Sequence, residues 1–261
     1  MLKRITRSWL TRALFGVLLI GSPARLFAQS PQVLDPDATR YMALGDSIAA
    51  GYKMAPVTQG YPYLLYQDGA FDRMAHTLFN NIAAVGATSQ DVLRHQVPQA
   101  LIPVAIGGFG AKYITLTVGG NDILAVLRFA ATHQNDPVAI ALFAQAAVAQ
   151  YADNLRDMFG QLRAGLPGVK IFVANHYTIP ELDTILPGTD QIIAAFNAAT
   201  HQQVAAVPAN VFEVDVFGAF IGRRNLLQLE RHGASVFEVH PTSVGHQVMA
   251  KAFEDVIDEH K

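Results

Sequence analysis

Short apolar runs alternate along this chain with stretches of helical periodicity, and no other feature restricts the fold so strongly. Residues 41–44, 78–83, 113–118, 170–174 and 211–214 have the character of buried strands: brief, rich in apolar residues, and bounded by Gly, Asn or Asp. Helical stretches come between them. Asp136-Pro137 reads as an N-cap followed by proline at the first helical position, opening a helix that runs to Arg163 before Gly165 and Pro167. The last helix sets Val244, Val248, Met249, Ala252, Phe253, Val256 and Ile257 on one stripe with a period near 3.6 residues. Such alternation implies a parallel sheet with helices on both faces, because parallel strands need crossovers that cover the sheet. No linker, repeat or low-complexity tract divides it.

The N-terminus is of another kind. Lys3, Arg4, Arg7 and Arg12 precede an apolar run over residues 13–20, then Gly21-Ser22-Pro23 and Leu26-Phe27-Ala28. The run is short of the ~20 residues a membrane span needs, and the order basic, apolar, small is that of a cleaved export signal. The expected organisation is a signal over residues 1–28 and one domain over residues 29–261, with a secreted or periplasmic protein that keeps no membrane span. The chain has 19 Lys+Arg against 21 Asp+Glu; residues 1–28 hold five of the basic ones and no acidic ones, so the remainder carries 14 against 21, a net charge of −7. An acidic protein is a poor partner for nucleic acid, whose phosphates demand positive charge. The absence of cysteine excludes disulfides, a thiol nucleophile and thiolate-bound zinc. The histidines and acids form no compact metal-ligand motif, and neither metal nor cofactor is expected.

In parallel sheets of this kind ligands bind beyond the carboxyl ends of the strands, so the residues directly after each strand matter most. After the first comes G-D-S-I-A-A-G-Y, with Ser47 at what reads as a helix entrance. A serine there can cap the helix, or it can be a nucleophile whose developing oxyanion meets free backbone N–H groups. Asp46 reads as a turn-stabilising residue. After the second strand stands the turn glycine Gly86, and after the third T-V-G-G-N-D, where Asn121 can be structural or can donate to an oxyanion. Near the C-terminus F-E-V-H-P-T-S-V-G-H places His240 in a loop at the mouth of the last helix. His246 falls about one turn inside that helix, packed or solvated.

Taken in order, G-D-S, the glycine turn, G-G-N-D and H-P-T-x-x-G-H resemble the SGNH, or GDSL-type, hydrolase family, over residues 41–253. The resemblance implies a flavodoxin-like three-layer α/β/α sandwich with a central, mainly parallel five-stranded sheet. It implies Ser47 as nucleophile, His240 as base, and an oxyanion hole made by the Ser47 N–H, the Gly86 N–H and the Asn121 amide. The implied activity is hydrolysis of carboxylic esters through an acyl-serine.

One position departs from the family. An aspartate is common three residues before the histidine, and Phe237 stands there. Glu238 is the nearest substitute, although in an extended segment it points to the opposite face. Asp215, in V-F-E-V-D, and a backbone carbonyl are the other candidates for holding the His240 ring. Apolar residues 123–129, with Val138, Ile140, Leu142 and Phe143, either pack onto the sheet or in part line an acyl pocket beside Ser47; residues 54–66 share that ambiguity. The expected substrate is a small-molecule or lipid ester with a short- to medium-length apolar acyl chain. Phospholipids, thioesters and O-acetylated polysaccharides are the enzymatic alternatives, and a non-catalytic envelope binding protein is the rival from another class.

Overall fold

In the computed structural model, residues 37–105, 107–228, 231–232, 236–237 and 239–261 are described; the signal expected over residues 1–28 lies outside them. The chain begins with β1 (Thr39–Gly45), a short α1 (Tyr61–Gln67) and β2 (Thr77–Asn81). Next come α2 (Ser89–Asp91), which continues through one π-helical stretch into α3 (Val97–Ala105), and β3 (Tyr113–Thr117). Two long helices follow, α4 (Gly120–Thr132) and α5 (Pro137–Gly165), then β4 (Lys170–Ala174), α6 (Pro180–Ile185), α7 (Thr189–Ala205) and β5 (Val211–Val214). The chain closes with α8 (Val216–Phe220), a two-residue hairpin of β6 (Arg231–His232) and β7 (Val236–Phe237), and α9 (Ser243–His260).

The five long strands form one parallel sheet in the order β2-β1-β3-β4-β5. Side-chain alternation divides the core between its two faces. From β1, Met42 and Leu44 enter a cluster with Val97, Val126, Leu155 and Phe196, so α3, α4, α5 and α7 cover that face. Tyr41 and Ala43 point the other way, toward Tyr61, Leu65, Phe220, Met249 and Phe253 of α1, α8 and α9. The same split recurs in β4, with Ile171 and Val173 on one side and Phe172 and Ala174 on the other. This is the three-layer α/β/α sandwich.

The order reverses direction between β1 and β3, the switch point at which doubly wound sheets leave a crevice beyond the strand ends. Two features of the chain shape that crevice. Gly45 ends β1 at φ +133°, and a Cβ there would stand 2.0 Å from the Thr117 carbonyl oxygen, so β1 and β3 approach as only glycine permits. Gln96, buried in the π-helical stretch, clamps the same residue: its Oε1 accepts from Gly45 N at 2.7 Å and its Nε2 donates to Gly45 O at 2.8 Å.

The apolar residues between the third strand and the long helix divide in an unexpected way. Ile123, Val126 and Leu127 bury one face of α4. Val138 and Leu142 are 67% and 62% exposed, and no residue of α5 before Tyr151 is buried. The first turns of α5 therefore stay largely exposed, contrary to what their apolar sequence suggests. Ala144, Ala147 and Val148 pack against the core half-buried, and full burial begins at Tyr151.

Candidate active site

Ser47 stands two residues beyond the clamped Gly45. Its segment turns with Ala50 N donating to Asp46 O (3.0 Å) and Tyr52 N to Ser47 O (2.9 Å). The turn is not continued as a helix, in contrast to the sequence expectation, because the chain passes into left-handed backbone at Gly51 (φ 71°) and Lys53 (φ 63°). Asp46 braces it as the sequence suggests, with Oδ1 accepting from Ile48 N and Thr117 Oγ1, both at 3.0 Å. Burial pushes the Asp46 carboxyl up to about 6, against the pull of these bonds and the nearby His240.

His240 comes from the other end of the chain, and its Nε2 lies 2.7 Å from Ser47 Oγ. The loop that carries it is fixed on both sides. Gln228 N donates to His240 O (2.8 Å), Thr242 N to Leu226 O (2.7 Å) and the Tyr177 hydroxyl to Val239 O (2.6 Å). Thr242 caps α9 through Gly245 N at 3.1 Å, as H-P-T implies. The Tyr52 ring covers the imidazole at 5.0 Å.

Asn121 is the second residue of α4 and faces the same crevice, with Nδ2 donating to Ala87 O at 2.9 Å. One of its two amide hydrogens is used in that bond, and the other is available to a ligand. Gly86 sits exposed in the turn before Ala87, also on the crevice wall. Behind this turn Asp122 accepts from Ser89 N (2.9 Å) and Ser89 Oγ (2.7 Å), and Asn154 Nδ2 donates to Ser89 Oγ (2.8 Å). The Gly86 turn, the start of α4 and α5 are thus joined by one buried polar network.

Of the candidates for holding His240, Asp215 serves another purpose: its Oδ1 caps α8 through Gly218 N (2.9 Å) and accepts from Asn175 Nδ2 (3.0 Å). Glu238 lies outside the described residues. His246 is wholly buried in α9, and its Nδ1 accepts from Tyr61 N at 3.2 Å. It belongs to the packing between α1 and α9, not to the crevice.

Ser47, Gly86, Asn121 and His240 all line one cavity of about 340 Å³. Ile123, Leu124, Leu127, Ile179, Leu182 and Ile193 give it an apolar interior, with Arg128 also on its wall. Part of the stretch over residues 123–129 therefore does line a pocket beside Ser47. Residues 43–248 match the sequence profile of the GDSL-like Lipase/Acylhydrolase family. The chain belongs to this family.

Solved structures share its fold, among them these three. A phospholipase A1 from Streptomyces albidoflavus superposes with a TM-score of 0.63 at 19% identity, covering 86% of this chain and 100% of the other. The lipase Lip_vut3 from a goat rumen metagenome gives 0.61 at 20%, covering 84% and 97%. An extracellular lipase from Streptomyces rimosus gives 0.61 at 21%, covering 86% and 100%. No curated protein matches the sequence.

Sequence reading missed several residues of this family member's cavity, His176 among them. His176 follows Asn175 directly after β4 and lines the cavity with it. The question asked of the first three strands, what stands at the carboxyl end, would have found it at the fourth. Among the described residues no group of three His, Asp or Glu side chains is arranged to hold a metal ion, and no helix is long and apolar enough to cross a membrane.

Proposed function

We propose that the protein is an exported serine hydrolase that cleaves carboxylic esters of short- to medium-length acyl chains through an acyl-serine intermediate. The observation that carries this reading is the 2.7 Å contact of His240 Nε2 with Ser47 Oγ at the edge of an apolar cavity. His240 takes the Ser47 proton as Oγ attacks the ester carbonyl, and returns it to the departing alcohol. The oxyanion is met by Ser47 N–H, Gly86 N–H and the free Asn121 amide hydrogen. Water, deprotonated by His240, then releases the acid. The cavity's 340 Å³ accommodates roughly eleven groups of water's size, which supports a short to medium chain. Export rests on the basic–apolar–small pattern of residues 1–28.

The test is hydrolysis of a chain-length series of p-nitrophenyl esters by the wild type and Ser47→Ala, with labelling by a serine-reactive organophosphonate. The wild type is expected to be labelled and to turn over short and medium esters best, and Ser47→Ala to lose about 10⁴-fold or more in kcat and all labelling. A wild type that is neither labelled nor active would leave a non-catalytic binding protein on the same fold.

A further inference from the structure

Among the mostly apolar residues that line the cavity stands one histidine that the proposed chemistry does not use. His176 lies on the cavity wall directly after β4, and is packed so closely that a Cβ on Gly119 would meet its Nε2 at 2.7 Å. Its backbone is fixed by Asn197, whose Oδ1 accepts from His176 N (2.7 Å) and whose Nδ2 donates to His176 O (2.8 Å). The ring contacts Tyr151 and Phe196.

Hydrogen bonding assigns the tautomer. The Tyr151 hydroxyl donates to Val118 O at 3.2 Å, and a hydroxyl has one proton. Thr200 Oγ1, 2.8 Å away, gives its own proton to Phe196 O at 3.2 Å, so the Tyr151 proton is shared between Val118 O and Thr200 Oγ1 and the Tyr151 oxygen accepts from His176 Nε2 at 3.4 Å. Nε2 therefore carries the hydrogen and Nδ1 carries a lone pair. Burial lowers the imidazole to about 4, so the ring is neutral near pH 7 and the lone pair persists.

Among the described residues Nδ1 has no partner, and the ring lines the cavity. Two other polar side chains there are committed to the protein. Thr117 Oγ1 donates to Asp46, and Asn175 joins Glu213, Asp215 and Phe217 N. A purely hydrocarbon chain would cover the His176 acceptor without replacing the water that solvates it, which is unfavourable.

We propose that His176 is a specificity residue whose Nδ1 accepts a hydrogen bond from a hydroxyl on the substrate's acyl chain, so that the preferred substrates are esters of hydroxylated acids. This rests on the hydrolase reading above, with the acyl chain lodged in the cavity.

The experiment compares p-nitrophenyl hexanoate with its 3-, 4- and 5-hydroxy analogues, using wild type, His176→Phe and His176→Gln. The wild type is expected to favour at least one hydroxylated ester by roughly ten-fold in kcat/KM, the value of one hydrogen bond. His176→Phe should abolish or invert that preference, and His176→Gln, which retains an acceptor, should restore part of it. Calorimetric binding of the free hydroxylated and plain acids to the wild type gives the same contrast without turnover. The inference therefore fails independently of the hydrolase reading. A wild type that binds and cleaves the plain chain as well as every hydroxylated one overturns it. So does a His176→Phe variant that alters both classes by one factor.

Discussion

Asn121 is held in place by a bond that still leaves it a hydrogen to donate. Its Nδ2 bond to Ala87 O fixes the amide against the Gly86 turn, leaving one hydrogen for a ligand. Loss of one oxyanion donor typically costs about 3–4 kcal/mol in the transition state, so Asn121→Ala should lower kcat by about 10²–10³-fold with little change in KM. Steady-state kinetics on the best short ester measures this, and a variant within three-fold of wild type would remove Asn121 from the oxyanion hole. Asn121 stood out in the sequence because it follows the third strand in G-G-N-D, one of four blocks that resemble the family only when taken in order. Ser47 stood out likewise past the first strand, whereas His240 stood out in a loop at the mouth of the last helix, 193 residues away along the chain. Gln96 did not. It clamps Gly45 from 51 residues away, and neither its type nor its place in a helix signals a contact with the nucleophile turn.

Among the elements, the short α2 and the start of α4 are the ones on which the site's geometry depends. Thr88 and Asp91 form a reciprocal cap that begins α2, and Asp122 at the start of α4 takes both Ser89 donors. Burial raises the Asp122 carboxyl, while its bonds from Ser89 oppose the shift. Asp122→Ala would leave Ser89 N and Oγ without their acceptor, at about 1–3 kcal/mol for each group left buried and unpaired. The expected result is a lower urea midpoint together with reduced kcat, as the Gly86 turn loosens against Asn121; Asp122→Asn, which keeps one acceptor, should fall between. An unchanged midpoint in Asp122→Ala would show that the network does not hold these elements together. Periodicity located the strands to within two residues at their ends, and the long helix by its Asp136-Pro137 cap. Periodicity reports which residues share a face and says nothing of whether that face is covered. The exposed Val138 and Leu142 on α5 are the result.

At the scale of the whole molecule, three buried titratable groups make stability depend on pH in opposing ways. His246, buried and near His240, is lowered from its ordinary 6.5 to about 4, and burial lowers His176 to about 4 as well. The unfolded chain binds protons at both below 6.5 that the native state refuses. Their contribution is therefore complete above pH 6.5 and is lost as the pH falls toward 4. Asp46 acts with the reverse sign. Its native value of about 6 exceeds the ordinary 3.8, so its contribution is complete below 3.8 and is lost as the pH rises through 6. Between pH 6 and 4 the Asp46 carboxyl offsets one histidine, and Asp122, also raised by burial, offsets part of the other, so the net loss on acidification is below about 3 kcal/mol at 1.36 kcal/mol per pH unit. Surface carboxylates such as Glu181, held down by Arg224, act in the histidines' direction but are screened by water. Urea unfolding at pH 7.5 and 4.5 should accordingly give a distinctly lower midpoint at 4.5. His246→Gln keeps an acceptor for Tyr61 N while removing one titrating ring. It should shrink the difference between the two midpoints, even where it lowers both. Equal midpoints for the wild type at the two pH values would mean that neither histidine is held neutral by the fold.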